Sequence, residues 1–124
     1  MRNFFAYEIK WGNRAVASLL RLDNKDAGRV KDKVKALAQL SNPTGLKNLV
    51  RLQGDLKPFY KLVVTPSLRA ILHIIQNEQR LIVLEVGQRQ SIYNKYEKYV
   101  KLKGVEAIVY EADKGKATQH YKNI

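Results

Sequence analysis

The chain has 124 residues, 45% of them hydrophobic, and carries 23 Lys+Arg against 11 Asp+Glu for a formal net charge of +12. One domain with a real core fits that length and composition, intrinsic disorder does not, and the basic excess favours a polyanionic partner such as nucleic acid, or an acidic protein. No cysteine is present, which excludes a disulfide framework and cysteine-ligated zinc. No run reaches the ~20 apolar residues of a membrane span. The opening MRNFFAYEIKWG is interrupted by Glu8 and Lys10 and lacks a signal-peptide core, so a cytoplasmic protein with no membrane partner is expected.

Residues 4–11 alternate: Phe5, Tyr7, Ile9 and Trp11 share one parity, with Glu8 and Lys10 on the other, the pattern of a half-buried strand. Gly12-Asn13 breaks it, with Asn13 the expected N-cap of a helix over 14–21. Val16, Leu19 and Leu20 share one face of that helix, and Leu22-Asp23-Asn24 ends or bends it. Asp23 or Asn24 can cap the next helix, over 25–39, in which Ala27, Val30, Val34 and Leu37 form an apolar stripe. Asp26 and Asp32 interrupt the basic outer face, so it reads as solvated surface before it reads as a nucleic-acid contact. Residues 41–45, Ser-Asn-Pro-Thr-Gly, are loop chemistry.

A short strand or extended segment follows at 48–52, then a turn at Gly54-Asp55. Three apolar runs, 59–64, 68–76 and 81–86, form an antiparallel meander with turns at Thr65-Pro66-Ser67 and Asn77-Glu78. By period two, Leu68, Ala70, Leu72 and Ile74 face the helices. Arg69, Ile71, His73 and Ile75 then lie on the other face, and Lys61 shares a parity with Phe59 and Val63. Ser91 can cap a helix running to about residue 101, with Tyr93, Tyr96, Tyr99 and Val100 on one stripe. That stripe reads first as a helix docking on the sheet and second as a stacking platform. Gly104 interrupts; 105–111 is a strand or a short helix, and 112–124 a polar tail. The fold class is α+β: an N-terminal strand, a two-helix hairpin packed on a 3–4-stranded antiparallel sheet, and a C-terminal helix, with the second sheet face partly free. Residues 1–103 form the single domain and 104–124 a partly flexible extension.

Most enzyme templates fail on residue count. The two histidines, His73 and His120, have no metal-ligand spacing, so no metal or other cofactor is expected. P-loop, dinucleotide and GxSxG fingerprints are absent, and acids do not cluster as a two-metal nuclease requires. What remains is phosphodiester chemistry on RNA, in which the 2′-hydroxyl is an internal nucleophile. Arginine and lysine can stabilise the charge at phosphorus, a lysine or tyrosine of shifted pKa can move a proton, and tyrosine can stack on a base. Lys61, Arg69, Arg89 and Tyr93 are residues of those kinds. On side-chain type alone they read first as exposed strand cations and a packing tyrosine.

Their order resembles the RelE/ParE toxin superfamily, and within it the RelE-like ribosome-dependent mRNA endonucleases. The resemblance rests on FYKLVV at 59–64, LRAILHI at 68–74 and LIVLEVGQRQSIY at 81–93, whose Val86-Gly87-Gln88-Arg89 with Tyr93 is its most specific part. Upstream, LLRLD at 19–23 and LKNLVRLQGDLKPFYKL at 46–62 agree in kind, so the pattern spans residues 5–95. The resemblance implies a type II toxin–antitoxin toxin that cleaves mRNA in the ribosomal A site without a metal and leaves a 2′,3′-cyclic phosphate. Lys61 would take a catalytic or phosphate-binding position and Arg69 would stabilise the scissile phosphate. Arg89 would stabilise charge or act as general acid, and Tyr93 would stack on or orient the substrate. Implied partners are a cognate acidic antitoxin, ribosome-bound mRNA and ribosomal RNA, with DNA reached only through the antitoxin complex.

The chain departs from that pattern in three places. Val63 stands where a second basic residue is usual, with His73 as an additional candidate to replace it. Arg69 and His73 are four residues apart, about 13 Å along a strand, too far to share one phosphate. Thr65-Pro66-Ser67 replaces a glycine–acidic turn, and the segment after Tyr93 is long. The alternatives are a ParE-like inhibitor of DNA gyrase and a catalytically inactive RNA- or protein-binding relative.

Overall fold

The computed structural model describes residues 6–114. The expected opening strand forms over β1 (Glu8–Trp11), with Trp11 buried; its first residues, 4 and 5, lie outside the described part. Two helices follow, α1 (Asn13–Arg21) and α2 (Asn24–Ala38), separated only by Leu22 and Asp23. Gly12, not Asn13, is the N-cap of α1: it is extended, it has no side chain to cap the helix, its carbonyl oxygen accepts from the Val16 N–H at 3.0 Å, and Asn13 is already helical. Gly12 occupies that place because α4 (Val105–Lys114) packs directly on it. A Cβ at residue 12 would stand 3.0 Å from the Ala112 Cβ and 3.2 Å from the Val83 carbonyl oxygen. Asp23 caps α2 by accepting from the Asp26 N–H at 2.8 Å.

The remaining strands are β2 (Leu49–Arg51), β3 (Tyr60–Val63), β4 (Leu68–Ile75) and β5 (Arg80–Gln88). Among the described residues they form, with β1, a five-stranded sheet in the order β1-β5-β4-β3-β2. Strands β2 to β5 are an antiparallel meander, as expected, but β1 adds to β5 in parallel, from Glu8 opposite Arg80 to Trp11 opposite Val83. The sheet is therefore mixed. Between Ile71 and Leu72 the β4–β5 register slips: Ile71 faces Glu85 and Leu72 faces Val83, so Leu84 is an extra residue on β5. Such a bulge re-aims side chains, and Glu85 is held by the α1 residues Ser18 (2.7 Å) and Arg14 (3.0 Å).

Helices α1 and α2 cover one face, burying Ala15, Val16, Leu19, Val30, Val34 and Leu37 against Leu62, Leu68, Ala70 and Leu72. Leu20, expected in that stripe, is 58% exposed. The reason is helix geometry: the buried set 15, 16, 18 and 19 fills the face, and residue 20 falls outside it. The second face is less free than expected. Helix α3 (Ile92–Lys103) and α4 place Ile92, Tyr96, Val100 and Ile108 against Phe59, Ile71, Ile82 and Leu84 in a second core. Gly104, at φ +87, lets the chain reverse between the two helices. Residues 105–111, open between strand and helix in the sequence, lie in α4. Its Asp113, 8% exposed, pairs with Arg80 at 2.9 Å, and Arg80 also reaches Glu78 at 2.6 Å. Residues 115–124, most of the expected flexible tail, lie outside the described part. What stays open on the second face is the β3–β2 end, where Val50 is exposed and Lys61 and Val63 are half-buried.

Candidate functional site

At that open end four elements converge. Strand register places Lys61 opposite Ile71 and Val63 opposite Arg69, and Arg69 opposite Gly87. All of these point to the α3 side of the sheet. The chain leaves β5 through Arg89, whose N–H donates to the Ser67 carbonyl oxygen at 2.8 Å. The β5–α3 turn is thereby stitched to the β3–β4 turn. Helix α3 then starts at once and brings Tyr93 over the sheet, with the Lys61 Nζ 5.6 Å from its ring centroid, a cation–π contact.

Arg69 is 8% exposed, and its guanidinium is already engaged. Its Nη1 donates to the carbonyl oxygens of Thr65 (2.7 Å), Leu68 (3.0 Å) and Pro66 (3.4 Å). The turn Thr65-Pro66-Ser67 thus folds around the arginine, which holds that turn closed. A guanidinium fixed by one nitrogen keeps its charge and its other edge.

Burial pushes the Tyr93 hydroxyl above its ordinary value of 10.0, and the nearby charges of Arg69 and Arg89 oppose that rise. Arg69 is close enough to act on the hydroxyl, yet the pair forms no hydrogen bond of standard geometry, and the oxygen is buried without a partner. Tyr93 is therefore neutral at physiological pH, a proton donor and a stacking surface rather than a base. The arrangement can hold a phosphodiester among Lys61, Arg69 and Arg89 beside an aromatic ring. Val63, half-buried opposite Arg69, supplies no proton-transfer group.

The structure brings Lys61, Arg69, Arg89 and Tyr93 together but leaves His73 apart. The His73 ring packs edge-on against Phe59, with centroids 5.9 Å apart, and Nδ1 lies 3.3 Å from the Pro58 carbonyl oxygen. It lines a different concavity, with Arg51, Tyr60 and Gln76. Burial lowers its pKa from 6.5, and the Arg51 charge adds to that, against the opposing Pro58 hydrogen bond and Asp113 charge. A concavity beside the cluster itself is lined by Lys61 and Tyr93 together with Gln53, Asn94 and Glu97, none of which the sequence reading singled out. The available signal was spacing: Glu97 is one helical turn beyond Tyr93. A third hollow, between α1, α3 and α4, lies away from the cations, and its Arg14 is tied to Glu85 and stacked on Tyr99 at 4.0 Å.

Neither a protein-family model nor a curated protein sequence matches the chain. Solved structures do. The toxin–antitoxin complex RelBE2 from Mycobacterium tuberculosis aligns with TM-score 0.59 and 16% identity over 72% of this chain and 98% of that one. An arginine-to-alanine mutant of the E. coli toxin RelE in the free state gives TM-score 0.59 and 21% identity over 76% and 97%. The archaeal RelE–RelB complex from Pyrococcus horikoshii gives 0.57 and 17% over 69% and 98%. Nearly the whole of each RelE-type chain is thus matched, at identities where only the architecture is informative: this chain has the fold of the RelE-type toxins.

Proposed function

We propose that the protein is the toxin of a type II toxin–antitoxin system and acts as a ribosome-dependent endoribonuclease on translated mRNA. The observation that carries this reading is the convergence of Lys61, Arg69, Arg89 and Tyr93 at the open end of a RelE-type sheet. The substrate's 2′-hydroxyl gives its proton to water as it attacks the adjacent phosphorus, the P–O5′ bond breaks, the 5′ oxygen takes up a proton from solvent, and a 2′,3′-cyclic phosphate remains. Lys61 and Arg89 carry the charge that builds on the phosphoryl oxygens, and Arg69 adds a fixed positive charge from beneath. Tyr93 stacks on a base and holds the attack in line. No metal takes part in this scheme. The partner of the free toxin is an acidic antitoxin, which the +12 charge suits; two of the similar structures are toxin–antitoxin complexes. The part that does this work is proposed to be residues 1–103, with 104–124 an extension whose α4 packs back on the sheet.

Val63 favours a second reading, a ParE-like inhibitor of DNA gyrase, because the strand pair Val63–Arg69 lacks a second proton-transfer group. A catalytically inactive RNA- or protein-binding relative would share that defect. Brief expression in bacteria separates the three. Growth arrest with in-frame cuts in translated mRNA supports the endoribonuclease. Arrest with intact mRNA and altered DNA supercoiling replaces it with gyrase inhibition, and no arrest leaves only the inactive relative.

A further inference from the structure

The concavity beside the cationic cluster holds about 360 Å³ and mixes two cations with apolar walls and one carboxylate. Leu52 and Leu56 give it apolar walls, and the Tyr93 ring closes the end that meets Lys61. Glu97 lines it too, half-buried one turn along the same face of α3 as Tyr93. Among the described residues the Glu97 carboxylate makes no hydrogen bond or ion pair, in a chain with twice as many bases as acids. Arg51 and Lys61 also line the hollow, with Arg51 tied to the Lys57 carbonyl oxygen and the Tyr60 hydroxyl, so a phosphate fits the cationic side and the Glu97 side suits the uncharged part of a nucleotide.

An ionised carboxylate only accepts, and its two oxygens match two adjacent donors. Among the four bases the Watson–Crick edge of guanine alone offers such a pair, N1–H beside the N2 amino group. Adenine, cytosine and uracil each set an acceptor next to a donor. We propose that this hollow is a guanine-binding subsite and that Glu97 is its specificity-determining residue. The proposal deepens the endoribonuclease reading and rests on it for the placement of RNA across the cluster. Gln53 and Asn94, whose amides are likewise unpaired among the described residues, line the same hollow within reach of the remaining polar atoms of the base.

The test uses the full chain and uncleavable 2′-deoxy pentanucleotides of uridine with guanine, adenine, cytosine or uracil at one position, placed in turn at each. Binding is followed by fluorescence anisotropy at fixed low salt. Wild type is expected to bind the best-placed guanine pentamer about tenfold more tightly than its adenine counterpart. Glu97→Gln puts a donor beside an acceptor, a pair that every base can meet, so it is expected to abolish the guanine preference; the readout is the ratio of guanine to adenine affinity, in which the effect of losing one negative charge on all pentamers cancels. Equal affinity for all bases, a guanine preference that survives Glu97→Gln, or no measurable binding at all overturns the subsite. Mapping cuts in translated mRNA after brief expression separates the two claims. Guanine-selective pentamer binding with no cut mRNA keeps the subsite and sinks the endoribonuclease, whereas mRNA cleavage whose base preference ignores Glu97→Gln does the reverse.

Discussion

Arg69 illustrates how one side chain can serve two ends. Its Nη1 closes the β3–β4 turn through three carbonyl oxygens, and its charge reaches Tyr93. Lysine cannot reproduce both, because its single nitrogen, once bound to the turn carbonyls, leaves no second edge for Tyr93. Arg69→Lys is therefore expected to lower stability by about 1–3 kcal/mol in urea unfolding, the cost of leaving buried carbonyl groups under-satisfied, and to reduce activity as well. Unchanged stability would show that the turn does not depend on the arginine. Tyr93 behaves differently. Its hydroxyl is buried without a partner, so Tyr93→Phe is expected to keep or slightly raise stability, and any loss of kcat in that variant reports proton donation rather than folding. His73 gives a pH signature. Its pKa is lowered in the folded protein by burial, so the unfolded chain binds more protons once the pH drops below about 6.5. Stability should fall from there until the pH passes the folded value and level off beyond it, and His73→Gln should remove that part of the slope in denaturation curves taken across pH.

At the scale of elements, what could be read in advance depended on whether the governing contact was local. The meander, the two-helix hairpin and the Asp23 cap follow from nearby residues and were legible. The parallel pairing of β1 with β5 was not, because alternation in residues 4–11 reports a half-buried strand and says nothing of its partner. Residues 105–111 were ambiguous for a related reason: an apolar run rich in valine and isoleucine suits strand or helix, and the positive φ at Gly104 with the Asp113–Arg80 pair decides it. Those long-range contacts make α4 testable. Gly12→Ala would drive a methyl group into Ala112 and is expected to cost about 1–3 kcal/mol, seen as a lower urea midpoint with the same slope. A cost near zero would mean that α4 does not bear on Gly12 as described.

For the whole molecule, the four cluster residues were legible as an ordered set because they recur in a known pattern, but their meeting depends on the fold. Lys61 and Arg69 belong to adjacent strands, Arg89 and Tyr93 to the exit from a third. Sequence spacing could not place His73 behind Phe59, nor reveal that a turn already engages Arg69, since both depend on how strands stack side by side. On the proposed function, a net charge of +12 would make nucleic-acid binding salt-dependent in general, and the cluster would make it so at named residues. Lys61→Met is expected to flatten the logarithmic dependence of oligonucleotide affinity on salt by about 0.7, the value for one phosphate contact on a single strand. The central claim, that RNA is cut at this cluster, is most directly tested by mapping mRNA 5′ ends after brief expression of wild type, Arg89→Ala and His73→Gln. The expected result is in-frame cleavage by wild type and His73→Gln, with about a hundredfold loss in Arg89→Ala; undiminished cleavage by Arg89→Ala, or its loss in His73→Gln alone, would contradict it.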